Sequence, residues 1–205
     1  MIRNTSDYSY DKKDILIIFR DRLFALTLRE HTWFAILCFT AVIVVFFSHE
    51  LAHLVMGRML DYDMNFSLNH AAPARATYRT KGDFQLISLS GPVLTLLLMV
   101  LFSWITARTA NYRWFPFVFS CFYLTVLSGI MNIFNTNDLG RVSRYIGVGV
   151  YLLPALAILI QFILMHQAVK KSGIGQKIIL VAVFWCLLFS SVIILLDQNF
   201  RFGFI

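Results

Sequence analysis

Charged side chains are scarce in this chain of 205 residues: Asp, Glu, Lys and Arg together make up 14% of it, whereas they make up about a quarter of a soluble domain. Apolar residues make up 59%. This composition excludes an ordinary soluble domain and predicts an all-α polytopic membrane protein with one compact domain. The net charge of +7 does not indicate a nucleic-acid partner, because the basic residues flank apolar runs, as they do in membrane proteins.

Cysteine is also rare, and its three residues all lie inside apolar runs: Cys38, Cys121 and Cys186. They lack the spacing of a zinc motif and the context of a disulfide framework, so we interpret them as small core residues. Residues 1–14 are polar and contain no apolar core of a signal peptide. No removable leader is therefore expected in this segment.

Long apolar runs dominate the rest of the chain. They predict about five transmembrane helices, which cover residues 33–57, 84–107, 114–134, 146–169 and 177–196. Residues 15–31 carry apolar side chains at helical spacing with charges between them, which predicts an amphipathic helix in the membrane interface. We therefore divide the chain into a polar N-terminus with this interfacial helix, residues 1–32, and a membrane domain, residues 33–205.

The segment between the first two predicted spans has a different pattern. Apolar and polar side chains alternate along residues 63–69 and again along residues 74–79, with His70-Ala71-Ala72-Pro73 between them. Alternation with a period of two is typical of β-strands. The pattern predicts a small β-hairpin at the membrane surface with its turn at residues 70–73. The exposed edge of such a hairpin could hold an extended peptide by strand addition.

The motif His49-Glu50-Leu51-Ala52-His53 lies near the C-terminal end of the first predicted span. Two histidines four residues apart lie on one face of a helix, within reach of the same metal ion. A glutamate between them is the usual general base of a zinc hydrolase. Ionisable side chains are costly inside a membrane, so the motif favours metal-dependent hydrolysis within the bilayer over a polar patch in a helix bundle.

The third metal ligand has to come from elsewhere in the chain, since a catalytic zinc ion usually has three protein ligands and one open position. The chain has five histidines, so the third ligand is another histidine or a carboxylate. Asp138 is the only acidic residue between residues 84 and 196. Two spans separate it from the first span, and an even number returns the chain to the same face of the membrane. Asp138 is therefore expected beside the histidines, with a helix N-cap as its alternative role.

This combination of a histidine motif in a membrane helix and an aspartate in an asparagine-rich break resembles the site-2 protease family of intramembrane zinc metalloproteases. Ser90-Gly91-Pro92 is similar to the Gly-Pro motif of that family, and the predicted hairpin is similar to one that the family carries. The resemblance covers roughly residues 40–145. Three positions depart from the family pattern: Asn135 stands near the place of a proline, Leu139 stands between the aspartate and the glycine that usually follows it, and Thr95 replaces an asparagine.

The resemblance implies the roles of six residues. His49, His53 and Asp138 would bind one catalytic Zn²⁺, and Glu50 would be the catalytic base. Asn132 resembles the asparagine that positions the substrate or polarises its carbonyl. Asn135 stands near the place of a family proline and is a second candidate for substrate binding. Alternatively, the asparagines satisfy backbone groups at a break between helices.

The function implied by the resemblance is hydrolysis of peptide bonds within the bilayer, in single-span membrane proteins or membrane peptides. The expected partners are the lipid bilayer, the substrate, and a substrate-delivering or regulatory membrane protein; the expected location is the cell membrane. The alternative is a non-catalytic scaffold or chaperone that retains the protease fold, although a scaffold would not need Glu50. A di-iron hydroxylase would need more than five histidines, and a zinc transporter would need more acidic residues or histidines along its spans.

The orientation in the membrane is open at this stage. The side that carries residues 1–32 has the larger share of the 18 basic residues. The positive-inside rule then places the N-terminus in the cytoplasm and the metal site toward the outer face. The resemblance implies the opposite, because the family more often has its zinc nearer the cytoplasm.

Overall fold

The computed structural model describes residues 28–75 and 77–200, and it contains six α-helices and a two-stranded sheet in this part of the chain. The helices are α1 (Leu28–Met59), α2 (Lys81–Thr109), α3 (Phe115–Met131), α4 (Asp138–Tyr145), α5 (Leu152–Ser172) and α6 (Gln176–Phe200); the strands are β1 (Met64–Ser67) and β2 (His70–Pro73). The predicted interfacial helix falls mostly outside the described residues, and residues 28–31 belong to α1.

Five of the helices are long and apolar enough to cross a membrane, which confirms the predicted multi-pass membrane fold. These candidate spans are Glu30–Met59, Lys81–Thr109, Tyr112–Met131, Leu152–Ser172 and Gln176–Asp197. Their outward faces carry large apolar side chains, such as Trp33 and Leu97, which are both 61% exposed. Exposed apolar surface of this extent fits lipid contact.

The break between the third and fourth spans is longer than the sequence pattern predicts. The third span ends at Met131 and the fourth begins at Leu152, whereas the apolar runs predict 134 and 146. The short helix α4 occupies part of this break. It begins at Asp138 because the side chain of Asn137 accepts a hydrogen bond from the Asp138 N–H at 3.0 Å, which is a typical helix N-cap.

The predicted hairpin is present, but its register differs from the prediction. The second strand is His70–Pro73, the segment predicted as the turn, and residues 68 and 69 form the turn instead. β1 and β2 are antiparallel, with Met64 opposite Pro73 and Ser67 opposite His70. The described residues 74, 75 and 77–79 form no strand despite their alternating pattern, because the short connection of two residues pairs β1 with the segment that directly follows it.

The hairpin is attached to the helices on both of its sides. Met64 and Phe66 of β1 are buried and pack in a small cluster with Leu54 of α1 and Ile87 of α2. At the other side, the hydroxyl of Ser67 donates a hydrogen bond to Asp197 near the end of the last span, with an Oγ–Oδ2 distance of 3.1 Å. These contacts hold the hairpin over one end of the helix bundle.

The main apolar core lies between α1, α2, α3 and α6. A buried polar contact joins α3 to α5: the side-chain amide of Gln161 donates to the hydroxyl of Thr125 at 2.7 Å, and that hydroxyl donates to the Cys121 carbonyl at 3.1 Å. Hydrogen bonds between membrane helices each contribute modestly, about 0.6–2 kcal/mol. Cys38, Cys121 and Cys186 are all buried and free, in agreement with their interpretation as core residues.

Helix ends follow from local sequence. α2 begins after Thr80, whose side chain accepts a hydrogen bond from the Asp83 N–H at 3.0 Å. α5 ends at Ser172 and is capped by Gly173, which has a φ of +67°, a left-handed conformation that glycine adopts without steric cost. The short connection that follows returns the chain to the membrane as α6. Successive spans run in opposite directions, so the ends of α1 and α3 and the start of α4 lie on one side of the bundle.

Candidate metal centre

His49 and His53 are both buried on α1, one helical turn apart, and their rings approach edge to face at a centroid distance of 4.9 Å. Their Nε2 atoms are 3.2 Å apart. The spacing of four residues produces this geometry because residues i and i+4 lie on the same face of a helix.

Asp138 completes the group. It is the first residue of α4, within the break that follows α3. Its Oδ2 lies 3.4 Å from the Nε2 of His49 and 3.5 Å from the Nε2 of His53. The three ligand atoms all lie within 4.8 Å of one another, so this group could hold a metal ion. Among the described residues, no other group of histidine, cysteine and acidic side chains has such a geometry. The expected convergence of Asp138 with the histidines is therefore present.

The other ring nitrogens of both histidines have fixed hydrogen-bond partners. The Nδ1 of His53 lies 2.6 Å from the carbonyl oxygen of Ile87, which can only accept, so this Nδ1 carries the proton. The Nδ1 of His49 lies 2.8 Å from the hydroxyl oxygen of Thr95, and that hydroxyl donates its own proton to the Gly91 carbonyl at 3.0 Å. The Nδ1 of His49 is therefore also the donor.

With Nδ1 protonated in both rings, each Nε2 presents a lone pair, and both lone pairs face the Asp138 carboxylate. Three acceptor atoms at 3.2–3.5 Å repel one another unless a cation lies among them. In the metal-free protein this cation is a proton, and a divalent metal ion can replace it. Histidines whose remote nitrogen is bound by a carbonyl or hydroxyl are typical metal ligands, so these residues fit a metal ion.

The charge of Asp138 supports the same assignment. Burial raises the pKa of this carboxyl, but in the metal-free protein the proton held between Oδ2 and the Nε2 atoms of His49 and His53 lowers it by more, so its pKa lies well below the ordinary value. Asp138 is thus ionised and supplies a negative charge to the group. Two neutral imidazoles and one carboxylate form a ligand set that is common for catalytic zinc.

Gly91 is the point where α2 passes closest to the two histidines. A Cβ atom at this position would lie 2.7 Å from the Nε2 of His49 and closer still to the Nε2 of His53. A side chain there would occupy the space in which the ligand atoms converge. Gly91 of the Gly-Pro pair therefore has a steric function: its lack of a side chain lets α2 approach the site without filling it.

Glu50 lines a cavity of about 680 Å³ next to the ligand group. The cavity is bordered by β2, by the first turns of α2 and by the end of α3, and its polar lining includes His49, His53 and Asp138. Glu50 also lies against the backbone of Ala71 in β2. A carboxylate, a candidate metal site and a strand edge thus share one cavity.

The two asparagines predicted to bind substrate occupy different environments. Asn132 is buried: its Oδ1 accepts a hydrogen bond from the Asn137 N–H at 2.7 Å, and its Nδ2 donates to the Ser128 carbonyl at 3.0 Å. These bonds shape the loop that presents Asp138. Asn135 is exposed and does not line the cavity. The substrate-binding role of both residues stays a prediction.

Three contributors to the site were not identified from the sequence: Thr95, the Ile87 carbonyl and Arg141. Thr95 departs from the family pattern, yet its hydroxyl accepts a hydrogen bond from His49. Its position four residues after Gly91 places it on the same face of α2, and this spacing was the available signal. No sequence signal indicates the Ile87 carbonyl, because every residue has a carbonyl group.

The three remaining histidines, His31, His70 and His166, lie outside the group. His70 is exposed on β2 at the border of the cavity, and His166 packs against Phe162 in α5 at a ring distance of 6.4 Å. Neither belongs to the set of ligand atoms that converge. Asp138 is therefore the third ligand that the geometry supports.

Comparison with known proteins gives no further identification: no protein-family model, no curated protein and no solved structure matches this chain.

Proposed function

We propose that this protein is an intramembrane zinc metalloprotease of the site-2 protease type, which hydrolyses peptide bonds of single-span membrane proteins or membrane peptides. The observation that carries the proposal is the convergence of His49, His53 and Asp138 beside Glu50, with both histidines held in the tautomer that metal binding requires. The five candidate membrane spans place this group in a multi-pass membrane protein. We propose the cell membrane as its location.

The ligand set supports zinc as the metal, since two imidazoles and one carboxylate leave an open coordination position. When bound, zinc would lower the pKa of a water molecule and polarise a substrate carbonyl. Glu50 would accept the proton from that water and deliver it to the leaving amine. Its place in the cavity, adjacent in sequence to His49, fits this role.

The hairpin supports a substrate in extended form. Ala74 donates a backbone hydrogen bond to the Asp63 carbonyl at 2.8 Å. Because hydrogen-bonded and non-hydrogen-bonded pairs alternate in an antiparallel ladder, the pair of Asn65 and Ala72 is also hydrogen-bonded. The backbone groups of Ala71 and the carbonyl of Pro73 then point away from β1, toward the free edge that borders the cavity. An unwound segment of substrate could pair with this edge.

Purified protein in detergent tests the metal first. Wild-type protein should contain stoichiometric zinc, whereas His49→Ala and Asp138→Ala should lose it. Glu50→Gln should retain zinc, because the glutamate is not a ligand. Arg144→Gln, an exposed change on α4, is a matched control for Asp138→Ala. A metal-replete wild type without zinc would overturn the proposal.

Reconstituted protein tests the reaction. In liposomes, wild-type protein should cleave members of a set of single-span test substrates, and Glu50→Gln should cleave none while it still binds zinc. A carboxylate base contributes roughly 10²–10⁴-fold to such a rate, so the loss should be nearly complete. Cleavage at an equal rate by Glu50→Gln would contradict the role of this residue.

A non-catalytic scaffold is the second candidate. It shares the membrane fold but has no need of a metal site with an adjacent base, and the cavity lined by Glu50 is the observation that separates the two. Stable binding of intact membrane proteins by the wild type and Glu50→Gln alike, without cleavage by either, would favour the scaffold. A substrate-delivering membrane protein is a proposed partner in both cases.

A further inference from the structure

The two oxygens of the Asp138 carboxylate face different partners. Oδ2 faces the Nε2 atoms of the two histidines at 3.4 and 3.5 Å. Oδ1 faces away from them, and the Nη1 of Arg141 lies 3.5 Å from it. The carboxylate is therefore engaged from both sides, with the candidate metal position on one side and a guanidinium on the other.

Arg141 is itself held in place by two further contacts. Its Nε donates a hydrogen bond to the Thr136 carbonyl at 3.0 Å. Its guanidinium lies over the ring of Phe84 on α2, with 5.3 Å between the Cζ atom and the ring centroid. A planar guanidinium fixed by a carbonyl, a ring and a carboxylate has little freedom to move. Arg141 therefore links the loop before α4 to the first turn of α2.

This contact determines how many oxygens Asp138 can offer. A free carboxylate can bind a metal ion through one oxygen or through both. If both bound, the second oxygen would take the coordination position that a hydrolytic site leaves open for water. An ion pair between Oδ1 and a guanidinium competes with that second bond.

We infer that Arg141 is a positioning residue that holds Asp138 as a ligand through one oxygen and thereby keeps one coordination position open. The inference rests on the proposed metal site, and it adds a residue that the histidine motif does not identify. Arg141 does not touch the candidate metal position; it acts through Asp138. It also lines the cavity, where it is partly accessible.

Cobalt substitution tests this inference directly, because the visible absorption of Co²⁺ weakens when its coordination number rises above four. The variants are Arg141→Gln, which removes the charge, and Arg141→Lys, which retains it. Arg144→Gln on the same helix is the control. We expect wild type, Arg141→Lys and Arg144→Gln to give the strong absorption of four-coordinate cobalt, and Arg141→Gln to lose most of it at the same cobalt content.

Turnover gives a second readout. Loss of an outer partner of a metal ligand typically costs 10–100-fold in activity or metal affinity, and we expect a loss of this size for Arg141→Gln but not for Arg144→Gln. Loss of cobalt from Arg141→Gln with retention by Arg141→Lys would support the same role. Loss from both variants would assign Arg141 to the folding of the loop and overturn the inference.

The outcomes also separate this inference from the proposed function. If wild-type protein binds no cobalt, the metal site itself fails. If wild-type protein binds cobalt and cleaves substrate, and Arg141→Gln has the same spectrum and rate, only the role of Arg141 fails.

Discussion

The hydroxyl of Thr95 on α2 accepts a hydrogen bond from the Nδ1–H of His49 on α1, with 2.8 Å between the two atoms. The same hydroxyl donates to the Gly91 carbonyl one turn earlier on α2. Its single proton is thus already used, which leaves a lone pair for the histidine. This chain of two bonds aims the Nε2 of His49 at the candidate metal position.

Replacement of Thr95 should therefore weaken metal binding. Thr95→Val has a similar shape but leaves the Nδ1–H of His49 without a partner, and zinc affinity should fall roughly 10–100-fold. Thr95→Ser retains the hydroxyl and should bind zinc nearly as well as wild type. Competition with a chelator of known affinity measures the difference.

Thr106→Val is the matched control for this experiment. Thr106 is also fully buried on α2, and its hydroxyl donates to the Phe102 carbonyl at 2.7 Å, far along the helix from the histidines. The control should leave zinc affinity unchanged. Equal affinities of Thr95→Val and wild type would contradict the assigned role of Thr95.

Gly91→Ala should abolish metal binding. The added methyl group would lie 2.7 Å from the Nε2 of His49 and nearer to that of His53, so either the helices separate or the ligands turn away. Zinc content per chain measures the effect. Gly82→Ala near the start of the same helix is the control, since its methyl group would meet only the Thr80 hydroxyl, at 3.6 Å. Stoichiometric zinc in Gly91→Ala would show that α2 can shift without cost to the site.

The free edge of β2 gives a prediction about substrate. Ala71→Pro removes a backbone N–H that points away from β1, toward Glu50 and the cavity, while it leaves the ladder of the hairpin intact. If substrate pairs with this edge, KM should rise, whereas loss of the contact with Glu50 alone should lower kcat and leave KM unchanged; zinc content should not change in either case. Ala71→Ser keeps the N–H and should behave as wild type. Identical kinetics for the two variants would mean that substrate does not use the edge.

The orientation of the site can be decided by labelling. Cys38, Cys121 and Cys186 are all buried with no exposed surface, so an impermeant thiol reagent should leave them unmodified. Ala74 is exposed beside the hairpin, and Gly175 is exposed on the opposite side of the bundle, where an added Cβ would have no neighbour within 4 Å. From the distribution of basic residues we expect Ala74→Cys to react in intact cells and Gly175→Cys only after permeabilisation. The reverse pattern would place the site toward the cytoplasm.

Several features could be predicted from the sequence because they depend on short-range patterns. Each span follows from a run of apolar residues, since lipid allows only helices with all backbone groups paired. The pairing of His49 with His53 follows from the helical repeat. The position of Asp138 on the same side of the membrane follows from an even number of spans between them.

Other features were decided by the tertiary structure alone, because they depend on distances between segments that are remote in the sequence. The sequence pattern predicts residues 74–79 as the partner of β1, but the partner is His70–Pro73. Alternation of polar and apolar residues cannot separate the two, since it is present both before and after the actual turn. The buried Asn132 bonds its own loop rather than the cavity, which no local pattern distinguishes. Asp138 and Arg141 are three residues apart on α4, which is a local pattern, but the contact of the guanidinium with Phe84 depends on how α4 packs against α2. By itself the sequence therefore determined the membrane fold and the residue types at the site, because both follow from periodicity and span number. The packing of α2 against α1 and of α4 against α2 decided which nitrogen and which oxygen each ligand presents, because hydrogen-bond geometry between helices is set only when they are in contact.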